Sequence, residues 1–180
     1  MTGLGGKAAV VGIGATEFSK DSGRSELQLS AEATLAALAD AGLSPADVDG
    51  LTTFTMDNSS EIALARELGM GDLRFFSRIN YGGGAACATV QQAAMAVATG
   101  VADVVVAYRG FNERSGQRFG QVQNWAATQV NTNGLDNAWT YPHGLSTPAA
   151  TVALQARRYM HETGATSADF GRVAVADRRH

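Results

Sequence analysis

The stretch RINYGGGAACATVQQAAMAVATGVADVVVA, residues 78–107, constrains the fold more than any other part of the sequence. Its glycines lead into an Ala-, Val- and Met-rich segment with the composition of a helix, which ends at Gly100. The run ADVVVA over 102–107 is almost continuously apolar, which is typical of a strand buried on both faces. A helix that leads directly into such a strand predicts a crossover connection in a mainly parallel α/β sheet.

The same alternation of strand-type and helix-type patterns continues on both sides of this stretch. Short β-branched and aromatic runs predict strands, and apolar residues at helical spacing predict helices that stop at glycines. The predicted strands are 7–13, 48–55 and 73–79, and the predicted helices are 25–42, 60–68, 148–161 and 169–176. A helical turn is predicted to begin at Pro45, and Ser167 is the predicted N-cap of the last helix.

Gly12 and Gly14, after the first predicted strand, resemble part of a dinucleotide-binding loop. Glu17 stands where the third glycine of such a loop belongs, and no helix pattern starts at once. A tight exit from the strand is therefore the favoured interpretation.

Composition places the chain among globular proteins, with 45% hydrophobic and 17% charged residues. The net charge of -3 and the lack of a basic run give no reason to expect nucleic acid or a membrane surface as a partner. We find neither a secretory leader nor an apolar stretch long enough to span a bilayer, so we expect a cytoplasmic protein. With Cys87 as the single cysteine and scattered histidines, we expect no disulfide and no metal site.

Residues 111–146 differ in character from the rest, being polar and rich in Gly, Asn and Gln. A loop of this length is uncommon in a compact domain and usually has a functional role. The sequence is therefore divided into a core over 1–110, a loop-domain excursion over 111–146 and returning helices over 147–180.

Four strings carry a resemblance to a known family: AAVVGIGATEFSK, LADAGLSPADVDGL, INYGGGAACATVQQAAMAVATGVADVVVAYRG and HGLSTPAATVALQARRYMHETGATSADFGRVAVADRRH. The sequence resembles the N-terminal half of a thiolase, in the branch of sterol carrier protein and lipid-transfer thiolase-like proteins. This resemblance implies one half of a two-repeat layered α/β fold with a mixed, mainly parallel sheet and a loop domain. It also implies that the C-terminal half, with the family's acid and base residues, is absent from this sequence, so the catalytic base cannot be named.

The family's nucleophilic cysteine lies in an N-x-x-C-x-[ST]-G pattern at the N-terminus of a central helix. Counting back from Gly100 by the family spacing places Gly83 at the nucleophile position and Asn80 at the pattern's Asn. Cys87 offers a competing alignment, since CAT resembles the family's cysteine and the residues that follow it. We favour the Gly83 alignment, in which Cys87 is a small buried residue of the helix.

Replacing the cysteine with glycine abolishes acyl-enzyme formation, because no side chain remains to accept the acyl group. Backbone N–H groups at the helix N-terminus remain as an oxyanion site, which we assign to Gly83 and Gly84, with Gly82 shaping the turn. The alternative is that these glycines serve only close helix packing. Asn80 is expected to hold the turn through its side chain, and Tyr81 to be a pocket wall or proton donor, or else a core or dimer contact.

The string YPHGLSTPAA falls where the family folds its loop domain over CoA. The resemblance implies that His143, Gly144 and Ser146 line the pantetheine channel. Trp125 and Trp139 are candidates for stacking on the substrate, although packing of the loop domain is the favoured interpretation.

A pocket of this kind suits reactions that pass through a CoA-thioester enolate. The sequence resembles the Ltp2-type aldolases of bacterial steroid side-chain degradation, which implies retro-aldol cleavage of a 17-hydroxy steroid acyl-CoA to a 17-keto steroid and propionyl-CoA. It further implies a homodimer, no cofactor beyond the CoA-thioester substrate, and a partner, the DUF35 (OB-fold) domain of a hydratase subunit. Two alternatives stay open: an acetyltransferase or thiolase that uses Cys87, and a noncatalytic acyl-CoA-binding subunit.

Overall fold

The computed structural model describes residues 5–54, 60–79, 86–112, 115, 139–145 and 147–180. The chain divides into two compact units, Met1–Gln117 and Arg118–His180. Within the described residues, the first unit contains three α-helices, a sheet and a 3₁₀ turn over Pro45–Asp47, which confirms the helical turn predicted from Pro45. The described part of the second unit contains two α-helices and a 3₁₀ turn.

The helices of the first unit begin and end close to the predicted residues. They are α1 (Glu26–Ala41), α2 (Glu61–Leu68) and α3 (Cys87–Thr99). Ser25 and Ser60 cap α1 and α2, since each hydroxyl oxygen accepts a hydrogen bond from a first-turn backbone N–H, at 3.1 and 3.2 Å. Gly42, Gly69 and Gly100 follow the three helices with φ of 70°, 64° and 75°, a left-handed conformation that favours glycine.

The described strands form one parallel sheet in the order β2-β1-β3. They are β1 (Gly50–Phe54), β2 (Phe75–Ile79) and β3 (Val105–Ala107). Phe54 lies opposite Ile79 in the register, so β1 and β2 end side by side. The strands predicted within 48–55, 73–79 and 102–107 are confirmed with narrower bounds, and the predicted parallel α/β arrangement is confirmed.

The central strand β1, and not β3, is the strand that is buried throughout. All five residues of β1 are buried, whereas Val105 and Val106 of β3 are half-buried and Ala107 is exposed. The prediction that β3 is buried on both faces is wrong. Among the described strands, β3 has a neighbour only on its β1 side, and an apolar run cannot by itself distinguish a central strand from an edge strand.

The core of the first unit joins α1, β1 and α2. Leu51 of β1 and Leu64 of α2 are completely buried. Burying an aliphatic side chain of this size contributes roughly 1.5–3 kcal/mol of transfer free energy. The buried cluster consists of Ala31, Leu38, Val48, Leu51, Leu64 and Tyr108.

The three strands also begin together, at the carboxylate of Asp49. This carboxylate accepts hydrogen bonds from the backbone N–H groups of Asp103 and Val104, at 3.0 and 2.9 Å. The Nε of Arg74, directly before β2, donates to it at 2.8 Å. Asp49 therefore fixes the amino edge of the sheet across all three strands.

The strand predicted at 7–13 is not formed, since residues 8–19 contain neither helix nor strand. The β-branched residues Val10, Val11 and Ile13 are exposed. The prediction rested on the β-propensity of these residues. β-branched residues favour a strand only where a neighbouring strand provides backbone hydrogen bonds and side chains to pack against.

Gly12 and Gly14 instead lie directly against α1. A Cβ at either position would come within 2.2 Å of a backbone carbonyl oxygen of this helix. The N–H of Ile13, between them, donates to Asp40 Oδ2 at 2.9 Å. The two glycines therefore permit close passage of the chain over a helix, and the predicted strand exit is wrong.

The second unit contains α4 (Pro148–Thr163) and α5 (Ser167–Arg179). Thr166 caps α5, and the predicted N-cap Ser167 is its first helical residue. The carboxylate of Asp169 accepts hydrogen bonds from the N–H and the hydroxyl of Thr166, at 2.7 and 2.8 Å. Thr166 and Ser167 are both suitable N-cap residues, and these hydrogen bonds from Thr166 to Asp169 make Thr166 the N-cap. The rings of Tyr159 and Phe170 pack between the helices with centroids 6.2 Å apart.

Candidate active site at the carboxyl edge of the sheet

Three segments of the chain leave the sheet at its carboxyl edge. Residues 55–59 follow β1, residues 80–85 follow β2, and residues 108–112 follow β3. In open parallel α/β sheets, ligands bind outside the carboxyl ends of the strands. The segment predicted to hold the oxyanion site thus starts at the edge where such folds bind their ligands.

The first turn of α3 is fixed against the central strand. The buried hydroxyl of Thr52 in β1 donates to the backbone oxygen of Thr89, at 3.3 Å. The Thr89 hydroxyl in turn donates to the backbone oxygen of Ala86, at 2.7 Å. These two bonds hold the start of α3, directly after residues 80–85, at a defined position on the sheet.

Cys87 is the first residue of α3 and is exposed. The prediction that it is a small buried helix residue is wrong. Successive side chains of a helix point about 100° apart, so when Thr89 faces the sheet, Cys87 faces away from it. The thiol is therefore accessible in the first turn of α3.

The end of β2 is fixed by two further contacts. Arg78 forms a two-bond ion pair with Glu61, the first residue of α2, with its Nη2 3.0 Å from Oε2 and its Nε 3.4 Å from Oε1. On the neighbouring residue of the strand, the Ser77 hydroxyl donates to Gln92 Oε1 of α3. Sequence reasoning missed this ion pair, because no local pattern relates a charge in a strand to a charge at the start of a helix.

Arg109, two residues after the end of β3, lies close to two aromatic rings. Its guanidinium carbon is 5.5 Å from the ring centre of Phe54 and 5.4 Å from that of Phe111. Both distances allow cation–π attraction, which restricts the position of the guanidinium. Sequence reasoning missed Arg109 as well; the only signal was an arginine between aromatic residues directly after an apolar run.

The structure describes two of the predicted site residues, and both lie in the second unit. His143 ends a 3₁₀ turn over Tyr141–His143, and its backbone N–H donates to the Thr140 oxygen at 3.1 Å. The exposed Gly144 follows with φ of 80°. The other predicted residues, with the candidate Trp125, lie outside the described part of the chain: Asn80, Tyr81, Gly82, Gly83, Gly84, Ser146 and Trp125.

Trp139 is 83% exposed, so the prediction that it packs the loop domain is wrong. In the described ranges, no helix is long and apolar enough to cross a bilayer. The same ranges contain no cluster of three or more His, Cys, Asp or Glu side chains arranged to hold a metal ion.

Comparison with protein families matches residues 8–180 to the N-terminal domain of thiolases. The chain belongs to the thiolase family. This confirms the family that the four strings indicated, and it agrees with the parallel sheet and the crossover helix α3.

Two curated relatives are similar over almost the whole chain. The 17-hydroxy-3-oxo-4-pregnene-20-carboxyl-CoA lyase of Mycobacterium tuberculosis is 73% identical over 98% of this chain and 46% of its own length. The steroid side-chain-cleaving aldolase of Thermomonospora curvata is 67% identical over 100% of this chain and 46% of its own length. The chain thus spans about half the length of these relatives.

A solved structure is similar at the level of the fold as well. The Ltp2-ChsH2(DUF35) aldolase is 66% identical and superimposes with a TM-score of 0.84, over 98% of this chain and 44% of that chain. The described fold is therefore thiolase-like.

Proposed function

We propose that the chain supplies the N-terminal half of a thiolase-like carbon–carbon lyase that cleaves a 17-hydroxy steroid acyl-CoA. One observation carries this proposal: two relatives at 73% and 67% identity over nearly all of the chain are both named for cleavage of a steroid carboxyl-CoA or side chain. The sequence adds that no cysteine stands within residues 80–86, where the family's nucleophile is expected.

The proposed reaction is a retro-aldol cleavage. A base removes the proton of the 17-hydroxyl group, and its oxygen becomes the ketone oxygen of the 17-keto steroid. The bond between Cα and Cβ breaks, and its electron pair forms the thioester enolate. The enolate takes up a proton at Cα and leaves as propionyl-CoA. Nothing is oxidised or reduced overall, so the substrate's CoA thioester is the only cofactor-like group that the reaction needs.

The chain's part in this reaction is to stabilise the enolate oxygen and to hold CoA. Backbone N–H groups of Gly83 and Gly84, directly before α3, would donate to the oxyanion, with Gly82 shaping the turn. Asn80 would hold that turn, and Tyr81 would line the pocket or donate a proton. The fixed position of the first turn of α3 supports this assignment, because an oxyanion site depends on donors that do not move.

The second unit would contribute to CoA binding through His143, Gly144 and Ser146. Both His143 and Gly144 are exposed and so accessible to a ligand, which supports this role. The catalytic base would come from the C-terminal half, which corresponds to the part of the relatives that this chain does not span.

A partner with a DUF35 domain belongs to the same proposal. Support comes from the similar solved structure, which is an Ltp2-ChsH2(DUF35) aldolase. A homodimer and a cytoplasmic location complete the proposal. An exposed, unpaired Cys87 favours a reducing compartment, where free thiols persist.

The proposal is tested with the complete protein that carries this chain, co-purified with a DUF35 partner. Incubation with 17-hydroxy-3-oxo-4-pregnene-20-carboxyl-CoA should release a 17-keto steroid and propionyl-CoA in equal amounts, measured by mass spectrometry. The matched control is the same thioester without the 17-hydroxyl group, which lacks the hydroxyl proton that the base removes and the oxygen that becomes the ketone oxygen. Binding of the hydroxylated substrate without any release would instead support a noncatalytic acyl-CoA-binding subunit.

The exposure of Cys87 in the first turn of α3 favours a second candidate, an acyltransferase that uses this thiol. Such an enzyme would gain the mass of an acyl group on Cys87 after a pulse of acyl-CoA. We expect no such adduct, because the family spacing places Gly83 at the nucleophile position.

A further inference from the structure

The ion pair between Glu61 and Arg78 stands out among the charged contacts of the described residues. Glu61 is only 8% exposed, and its carboxylate receives both the Nη2 and the Nε of Arg78. Such paired contacts fix the plane of the guanidinium as well as its distance from the carboxylate. The two side chains therefore have one defined relative orientation.

The pair joins the carboxyl end of β2 to the start of α2. Glu61 begins α2 shortly after residues 55–59, which follow β1. Arg78 lies opposite Thr53 in the register and is the next-to-last residue of β2. The pair therefore links the end of β2, at which residues 80–85 begin, to the first turn of α2.

Thermodynamic stability alone is a weak explanation for this arrangement. The Arg78 side chain is 38% exposed, so water screens its attraction to Glu61, and partly exposed ion pairs contribute at most about 1 kcal/mol of net stability. What such a pair does supply is a defined geometry. Here the geometry is that of the last residues of β2, after which residues 80–85 follow in the chain.

We propose that Glu61 and Arg78 are positioning residues for the oxyanion turn, an inference that rests on the lyase function proposed above. Neither side chain touches the reacting atoms in this assignment. Arg78, held by Glu61, fixes the direction in which the chain leaves β2. The contact of Ser77 with Gln92 fixes the end of β2, and that of Thr52 with Thr89 fixes the start of α3. These are the described elements that precede and follow residues 80–85 in the chain.

The test compares Glu61→Gln, Arg78→Gln and the double variant in the complete protein with its DUF35 partner. Small misplacement of catalytic groups lowers turnover by about 100-fold, so kcat for propionyl-CoA release should fall by roughly ten- to hundredfold while KM stays nearly constant. The double variant should be no slower than the slower single variant, because both changes break one contact. Glu61→Asp, which keeps the charge, should recover part of the lost turnover.

Arg74→Gln is the matched control. Arg74 lies at the opposite end of β2 and pairs with Asp49 and Asp103, so this variant removes ion pairs from the same sheet but away from the carboxyl edge. It should lower the unfolding temperature and leave kcat unchanged. Equal loss of kcat in Arg74→Gln and Glu61→Gln, or no loss in Glu61→Gln, would overturn the positioning role.

A second measurement separates this inference from the proposed function. Hydrogen exchange of the backbone amides of residues 80–86 should be faster in Glu61→Gln than in the wild type, and unchanged in Arg74→Gln. If the wild-type complex releases no propionyl-CoA, the lyase function fails, and exchange alone decides whether the pair orders this turn. Unchanged exchange in Glu61→Gln would contradict the positioning role whatever the activity.

Discussion

The Nε of Arg74 donates a hydrogen bond to the carboxylate of Asp49 at 2.8 Å. Arg74 directly precedes β2, and Asp49 directly precedes β1. Burial alone would raise the pKa of Asp49. Hydrogen bonds from the Val104 and Asp103 N–H groups, together with Arg74, outweigh this effect and hold its pKa below the usual value. The ionised carboxylate thus stabilises the parallel start of the sheet, so its removal and its protonation should both have measurable consequences.

Asp49→Asn should lower the free energy of unfolding by about 2 kcal/mol, because an amide replaces a charged acceptor of several hydrogen bonds. Urea unfolding of the complete protein, followed by circular dichroism, measures the change. Asp103→Asn is the control: its carboxylate also binds Arg74 but is 82% exposed, so we expect a loss of at most about 1 kcal/mol. Equal losses in the two variants would contradict the role assigned to Asp49.

The contribution of Asp49 should depend on pH. Its folded pKa lies below the value of about 3.9 for an unfolded aspartate, so the stabilisation is complete above that pH and is lost as pH falls through the lower folded pKa. The difference in unfolding free energy between wild type and Asp49→Asn should be constant from about pH 7 to pH 5 and shrink below about pH 4. Denaturant titrations at these pH values measure it, and a constant difference at every pH would argue against an ionised Asp49.

Two glycine-to-alanine substitutions should change the free energy of unfolding in opposite directions. A Cβ at Gly110 would lie 1.8 Å from Ser30 Oγ and 2.7 Å from the backbone oxygen of Glu26, so Gly110→Ala should destabilise by about 1–3 kcal/mol. A Cβ at Gly171, within α5, would meet no atom within 4 Å, so Gly171→Ala should stabilise by about 0.5–1 kcal/mol. Thermal unfolding of the two variants, side by side, checks both directions.

The two candidate nucleophile positions should respond differently to substitution. Cys87→Ser should leave propionyl-CoA release unchanged, because the proposed reaction forms no acyl-enzyme. Gly83→Cys should lower kcat by about 100-fold, the usual effect of losing one oxyanion donor, since the new side chain displaces backbone from its place beside the enolate. The reverse pattern, with Cys87→Ser inactive, would assign the chemistry to the thiol.

The sequence by itself determined the elements that depend on neighbouring residues. Helix α1 begins after Ser25, whose side-chain oxygen accepts a hydrogen bond from a first-turn N–H. It ends before Gly42, which adopts the left-handed conformation easily because it has no Cβ. The thiolase family, too, could be recognised from local strings, and residues 8–180 match its N-terminal domain. The predicted oxyanion residues of the 80–84 segment remain predictions, since they lie outside the described residues.

Only the tertiary structure decided the features that depend on partners distant in the chain. Exposure of Cys87 follows from Thr89 facing β1, and half-burial of β3 follows from its place beside β1 only. Glu61 and Arg78 are separated by 17 positions, and Asp49 and Arg74 by 25, so no local pattern could pair them. The sheet brings these charges together because parallel strands start at one edge and end at the other, which is a property of the packed chain.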